Sequence, residues 1–177
     1  MSTIKVTIIK TTITIIGIVI ILICFTLPMV SRINNTDKTS YLTFQIGDNE
    51  STFKMLDSIV NMQSFDKNKL NIFCEICAKS DGALSEVLGD YCYKIINRYP
   101  KEVITEFQTN SKMMEYFGSF IAFEFYSNDY TFLSPEVQSF LQHLENKIPC
   151  DNIEMIETYN KFKTTIETTL CNYNEQP

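Results

Sequence analysis

A run of twenty residues without a charged side chain, from Thr11 to Val30, constrains this chain more than any other feature. A helix rises about 1.5 Å per residue, so a run of this length spans about 30 Å, which matches the hydrocarbon core of a bilayer. The β-branched residues in it, which weaken a helix in water, are no obstacle in lipid, where backbone groups must pair within the segment. We therefore predict a transmembrane helix over residues 11–30.

The residues at the C-terminal end of this run indicate whether the segment is cleaved off as a signal peptide or stays in the mature protein. A cleavage site needs small residues in a small-x-small pattern, and the best triplet, Met29 to Ser31, fits that pattern poorly. Cys24 suggests a lipoprotein whose thiol is acylated after cleavage, but Ile23 precedes it where such sites have a small residue. We favour an uncleaved anchor, with an envelope lipoprotein anchored at Cys24 and a cleaved signal peptide as alternatives.

The charges on either side of the segment indicate its orientation. Lys5 and Lys10 precede it without a neighbouring acid, and a short basic N-terminus before a first span usually stays in the cytoplasm. We expect residues 1–10 to be cytoplasmic, residues 31–49 to form a tether, and residues 50–177 to form an extracytoplasmic domain. The protein would then be a single-pass membrane protein that contacts the membrane through residues 11–30.

The charge of the domain limits its partners. Residues 41–177 contain 11 Lys and Arg against 20 Asp and Glu, which gives a net charge of −9. A surface this acidic repels nucleic acid and anionic lipid headgroups. We therefore expect no nucleic-acid partner and no second membrane contact.

Apolar residues in the domain recur at helical spacing, which predicts an all-α fold. Breaks at residues 80–82, 99–100 and 109–111 separate short segments, and the expected product is a compact antiparallel array of about seven short helices. The expected helix-capping residues are Ser51, Asp66, Ser134 before Pro135, and Asp151 with Glu154 three residues later. A weak alternation over residues 41–46 suggests a short strand or an extended segment.

Gly89 stands in the middle of the third predicted helix. A glycine there costs about 1 kcal/mol relative to alanine. This position therefore indicates that another helix approaches closely.

Three cysteines are candidates for a disulfide. Cys74 and Cys77 lie on one apolar helix stripe, and Cys92 lies on the next helix beyond a tight turn, so either of the first two can pair with the third. Cys150 and Cys171 bracket the last predicted helix and lie about 30 Å apart if it is continuous, which is too far for a bond. The alternative is a thiol–disulfide redox protein that uses the Cys74/Cys77 pair.

No residue in the sequence is assigned as catalytic or as a metal ligand, and we expect no cofactor. A zinc site at Cys74 and Cys77 would need two further ligands at a recognisable spacing. His143 is the only histidine, and its helix position is away from the apolar stripe. We expect it to be exposed.

The segment from Tyr116 to Phe132 contains eight aromatic residues in seventeen positions. We interpret most of it as a central helix that is buried on all sides. The alternative is that some rings form an exposed patch for a partner. The candidates are Tyr126, Tyr130 and Phe132, which border a loop.

These features favour a membrane-anchored helical domain that works by contact with another protein and has no catalytic activity.

We predict that the protein isolated from its own membranes begins at the N-terminus of the full 177-residue chain, because the apolar run lacks a good cleavage site. Intact mass and N-terminal peptide mapping test this. A mature chain that begins at Ser31, or at an acylated Cys24, would rule out the uncleaved anchor.

Overall fold

In a computed structural model of the protein, residues 46–175 are described, and they belong to one compact unit. They form seven α-helices: α1 (Glu50–Val60), α2 (Lys67–Lys79), α3 (Gly82–Arg98), α4 (Pro100–Thr109), α5 (Ser111–Ser127), α6 (Pro135–Glu145) and α7 (Ile153–Asn174). The predicted all-α class and helix number are confirmed for this region, which contains no strand.

The predicted membrane span over residues 11–30, and residues 41–45 of the proposed extended segment, lie outside the described residues. Within residues 46–175, no helix combines the length and the apolar character that crossing a bilayer requires.

Two of the predicted helix caps are wrong by one or two residues. The cap of α1 is Asn49 and not Ser51, because the Asn49 side-chain oxygen accepts a hydrogen bond from the Thr52 backbone N–H at 2.9 Å. The cap of α7 is Asn152 and not Asp151. Asparagine competes well for these positions because its short side chain reaches the amides of the first turn. The capping residues of α2 and α6, Asp66 and Ser134, are at the predicted places.

The central element of the fold is α5, which packs against α3 on one side and α7 on the other and also contacts α2 and α4. Its fully buried residues lie on one half of the helix circumference: Met113, Phe117, Gly118, Ile121, Ala122 and Phe125. The ring of Phe117 contacts those of Phe73 in α2 and Phe107 in α4, with centroids 5.4 Å apart in each pair. The helix contacts support the predicted central position of this segment. The prediction that it is buried on all sides is wrong, because Tyr126 is exposed and Phe120 and Phe123 are half-buried.

Two glycines allow the neighbouring helices to approach α5 closely. A Cβ atom on Gly89 of α3 would lie 2.6 Å from the Phe120 carbonyl oxygen, and one on Gly118 of α5 would lie 2.7 Å from Thr165 Cγ2 in α7. Both distances are shorter than van der Waals contact permits. At Gly89 the obstacle is a backbone carbonyl, so only glycine fits there, whereas at Gly118 the Thr165 side chain would have to shift. The close approach predicted from Gly89 is confirmed.

Two ring contacts establish the direction of these helices. The rings of Tyr93 and Phe125 lie 6.1 Å apart, and those of Phe123 and Tyr173 lie 6.0 Å apart. Tyr93 lies C-terminal to Gly89 on α3, and its partner Phe125 lies C-terminal to Phe120 on α5. In the same way, Phe123 lies C-terminal to Gly118 on α5, and its partner Tyr173 lies C-terminal to Thr165 on α7. The helices α3, α5 and α7 therefore run in the same direction. The prediction of a uniformly antiparallel array is therefore wrong for these pairs. The reason is that α4 carries the chain back between α3 and α5, and α6 carries it back between α5 and α7. The helices that pack together are therefore not consecutive in the sequence.

We predict that Gly89→Ala lowers the free energy of unfolding by about 2 kcal/mol, because the added methyl group meets a backbone carbonyl that cannot rotate away. The better helix propensity of alanine, about 1 kcal/mol, offsets the clash only in part. Urea denaturation of the full-length chain in detergent, followed by near-UV circular dichroism, measures this. Glu86→Ala, at an exposed position on the same helix, is the control and should change stability by less than about 0.5 kcal/mol. A Gly89→Ala variant as stable as the parent would contradict the close-approach argument.

Candidate functional site

The best candidate for a functional surface is a groove open to solvent, which we call the α3–α6 groove. It consists of two depressions, of about 390 and 590 Å³, that meet at Tyr93 and Asn97 of α3. The first is also lined by Val60 of α1 and by Lys94 and Arg98 of α3. The second is also lined by four residues of α6: Glu136, Ser139, Phe140 and His143.

One wall of the groove is α3 with the C-terminal end of α1 attached to it. The Arg98 guanidinium donates a hydrogen bond to the Val60 carbonyl at 3.0 Å, and the Tyr99 hydroxyl donates one to the Met62 carbonyl at 2.6 Å. Nearer the N-terminus of α3, the Tyr91 hydroxyl donates a hydrogen bond to the Asp57 carboxylate of α1 at 2.8 Å. Burial and the Asp57 carboxylate raise the pKa of Tyr91 to about 12, so this donor keeps its proton at neutral pH.

The floor of the groove is aromatic. Tyr93 and Phe140 are stacked with ring centroids 4.9 Å apart and planes at 26°. Phe125 of α5 lies behind both, 6.1 Å from the ring of Tyr93 and 5.5 Å from that of Phe140. Such pairs contribute about 0.5–1.5 kcal/mol each beyond the area that they bury. The three rings therefore hold α6 at a fixed distance from α3 and α5.

The second wall, α6, is also attached to α7. The buried Tyr159 hydroxyl donates a hydrogen bond to the Leu141 carbonyl at 2.7 Å. Burial, with a smaller effect from the charge of Glu145, raises the pKa of Tyr159 to about 12. This donor also stays protonated at neutral pH, so the attachment of α6 persists across the physiological range.

The end of α5 brings a predicted partner residue to this aromatic floor. Asp129 adopts a left-handed conformation, with φ at +60°. Its N–H bonds to the Tyr126 carbonyl and the Tyr130 N–H bonds to the Phe125 carbonyl, both at 3.0 Å, which is the Schellman pattern of helix termination. The chain turns back, and the Tyr130 ring packs 6.3 Å from that of Phe125.

The structure does not give the three predicted partner-binding residues one common environment. Tyr126 is 40% exposed and stacks on Tyr173 of α7 at 5.0 Å, whereas the half-buried Tyr130 contacts the ring of Phe125 behind the groove. Phe132 is half-buried, and its carbonyl accepts a hydrogen bond from the side chain of Gln138 at 2.6 Å. A role in partner binding remains a prediction for each of them, and Tyr130 contacts the groove floor only indirectly, through the ring of Phe125.

The polar groups of the groove were not identified from the sequence. Asn97 is half-buried where the two depressions meet, and among the described residues none forms a hydrogen bond with its amide. Lys94 pairs with Asp90 one turn earlier. His143 is exposed, as predicted, and it lines the groove. No local motif marks these residues, because the groove forms only when α3 and α6 pack together.

None of the cysteines in the described region lines the groove. All five in the described region are free thiols. Cys77 and Cys92 are buried and Cys74 is half-buried. Burial, together with neighbouring Cys77, raises the pKa of both Cys74 and Cys92. Redox-catalytic cysteines have their pKa shifted in the opposite direction. Within the described region, no cluster of three or more His, Cys, Asp or Glu side chains is arranged to hold a metal ion.

Comparison with known proteins gives no further guide to this site. The chain matches no family model, and neither a curated protein nor a solved structure shows significant similarity to it.

We predict that Asp129→Val lowers the free energy of unfolding by about 1–2 kcal/mol, because a β-branched residue is strained at positive φ. Asp129→Gly removes the same carboxylate without that strain and should stay within about 1 kcal/mol of the parent. Urea denaturation of the two variants separates the backbone effect from loss of the carboxylate. Equal stability of the valine and glycine variants would show that the left-handed turn does not constrain the end of α5.

Proposed function

We propose that this chain is a membrane-anchored protein-interaction module, and that its helical domain binds a segment of a partner protein in the α3–α6 groove. The observation that carries the proposal is the position of Asn97. Its half-buried side-chain amide lies at the junction of the two depressions and has no hydrogen-bond partner among the described residues. A carboxamide offers both a donor and an acceptor, which is what a peptide backbone requires.

The shape of the groove supports a polypeptide as the occupant. Small-molecule sites enclose most of their ligand, whereas these two depressions are open to solvent and adjoin at Tyr93 and Asn97. The α6 residues that line the groove, from Glu136 to His143, span two turns, or about 10 Å. That length matches a short extended or helical segment of another chain.

The chemistry of the groove also resembles that of a protein interface. Its floor is the stacked pair Tyr93 and Phe140, and aromatic residues are enriched where binding energy concentrates. Its rim carries Arg98 on one side and Ser139 and His143 on the other, all exposed. An apolar centre with a polar rim is the usual arrangement of such interfaces.

The proposed anchor gives this module its working context. A helix over residues 11–30 would keep the domain within a tether's length of the membrane, which raises its effective concentration toward other membrane proteins. The acidic domain, with two N-terminal lysines before the anchor, favours the extracytoplasmic side for the domain. Anchoring through an acylated Cys24 would serve the same function by a different attachment.

The competing proposal, a thiol–disulfide redox protein that uses Cys74 and Cys77, has weaker support. Catalysis by such a pair requires an accessible thiol with a lowered pKa. Cys77 is buried, and the pKa of half-buried Cys74 is raised. The interaction proposal therefore takes precedence.

Site-specific photocrosslinking in the native membrane tests the proposed function. With a photoreactive amino acid at Ser139 in the groove, irradiation should give one discrete crosslinked adduct. The same group at Thr164, an exposed position of α7, is the control and should give none. Adducts of the same kind from both positions, or none from Ser139, would contradict a binding site in the groove.

A matched pair of substitutions tests the part played by Asn97. We expect Asn97→Lys to reduce the yield of the Ser139 adduct about ten-fold or more, because it fills the groove and removes the amide. Asn160→Lys makes the same change at an exposed position of α7 and should leave the yield unchanged. An equal effect from both variants would mean that charge alone, and not the groove, governs the interaction.

A further inference from the structure

We propose that the first depression of the α3–α6 groove is a carboxylate subsite, and that the partner segment carries an Asp or Glu side chain that pairs there with Arg98. The inference rests on the proposed binding of a partner in this groove. It adds the chemistry of the segment that binds and the place of its charge.

The side chains that line this depression define the ligand group that it accepts. The four polar ones, Tyr93, Lys94, Asn97 and Arg98, all carry hydrogen-bond donors, and none is a carboxylate. Two of them are cations, although residues 41–177 as a whole have a net charge of −9. A carboxylate accepts several hydrogen bonds and carries the opposite charge, so it matches this set of donors.

Most of these donors have no partner within the domain. Neither the amide of Asn97 nor the hydroxyl of Tyr93 forms a hydrogen bond with another described residue. Lys94 is already paired with Asp90. Arg98 forms no ion pair with a described residue, and its bond to the Val60 carbonyl uses one of five N–H groups. Arg98 is therefore the cation of this depression that can pair with a partner.

Contacts within the domain hold the Arg98 side chain in place. Its guanidinium donates to the Val60 carbonyl at 3.0 Å, and the guanidinium carbon lies 5.5 Å from the centre of the Tyr99 ring. A side chain restrained in this way loses less conformational entropy when it binds. The planar guanidinium also suits the two oxygens of a carboxylate better than a lysine ammonium does.

The second depression has a different charge, because its lining includes the carboxylate of Glu136. At physiological ionic strength the Debye length is about 8 Å, so charges close to the ligand count far more than the net charge of the domain. An acidic side chain of the partner is then attracted into the first depression and repelled from the second. The groove selects the position of that side chain.

Charge substitutions test the subsite with the photoreactive group at Ser139 in the native membrane. We expect Arg98→Gln to lower the yield of the adduct about three-fold, and Arg98→Glu about ten-fold because repulsion replaces attraction. Arg98→Lys keeps the charge and should lose less than Arg98→Gln. Lys161→Glu makes the same reversal at an exposed position of α7 and should change the yield less than two-fold.

Salt dependence separates pairing with the partner from the role of Arg98 in holding α1. Raising NaCl from about 0.15 M to about 0.5 M screens an exposed ion pair and should lower the adduct yield of the parent. It should have little effect on Arg98→Gln, whose amide can still donate to the Val60 carbonyl. Equal salt dependence of the two would contradict the subsite, and this comparison decides the matter even if Arg98→Glu does not fold.

The partner provides the complementary test. Mass spectrometry of the adduct identifies the attached peptide, and each Asp or Glu near the attachment is replaced by Lys. One replacement should restore the yield of Arg98→Glu. If none does, or if Arg98→Glu and Lys161→Glu behave alike, the carboxylate subsite is wrong and binding in the groove stands. If Ser139 gives no protein adduct in the parent chain, or gives one with a lipid, the proposed function fails and the subsite with it.

Discussion

The close approach of α3 and α7 to α5 is the contact on which the rest of the structure depends. At the crossing with α3 it requires that Gly89 lack a side chain, and at the crossing with α7 the absence of a side chain on Gly118 makes room for Thr165. With α3 and α7 packed against α5, two of the remaining helices are attached to them by hydrogen bonds. The C-terminal end of α1 is attached to α3, and α6 is held to α7 by the hydrogen bond from Tyr159 to Leu141.

The candidate site is a consequence of this arrangement. Because α3 and α6 are held by different neighbours, they meet at the stacked rings of Tyr93 and Phe140 and leave a groove along their exposed edges. Phe125 supports the rings from behind, and the helix end at Asp129 adds Tyr130 to the same cluster. Because these rings already pack against one another, binding a partner there would immobilise few additional side chains, which limits the entropic cost.

The local features of the fold were predictable from the sequence, and its long-range features were not. Helical spacing predicted the all-α class and seven helices, and a glycine inside a helix correctly indicated the close approach at Gly89. The shared direction of α3, α5 and α7 was missed, because no local pattern reports which helices pack together. The groove was missed for the same reason, since Asn97 and Ser139 are more than forty residues apart in the chain. The predicted caps Ser51 and Asp151 were wrong by only one or two residues, because the nearby Asn49 and Asn152 can cap the same helices.

Native-state hydrogen exchange of the full-length protein tests the central position of α5 most directly. The account predicts that the buried half of α5, around Phe117 to Ile121, exchanges only through global unfolding, with a free energy equal to that from urea denaturation. Amides of α1 and α6 should exchange through smaller openings that leave α5 intact. Exchange in α5 that is as easy as in α6 would contradict the account.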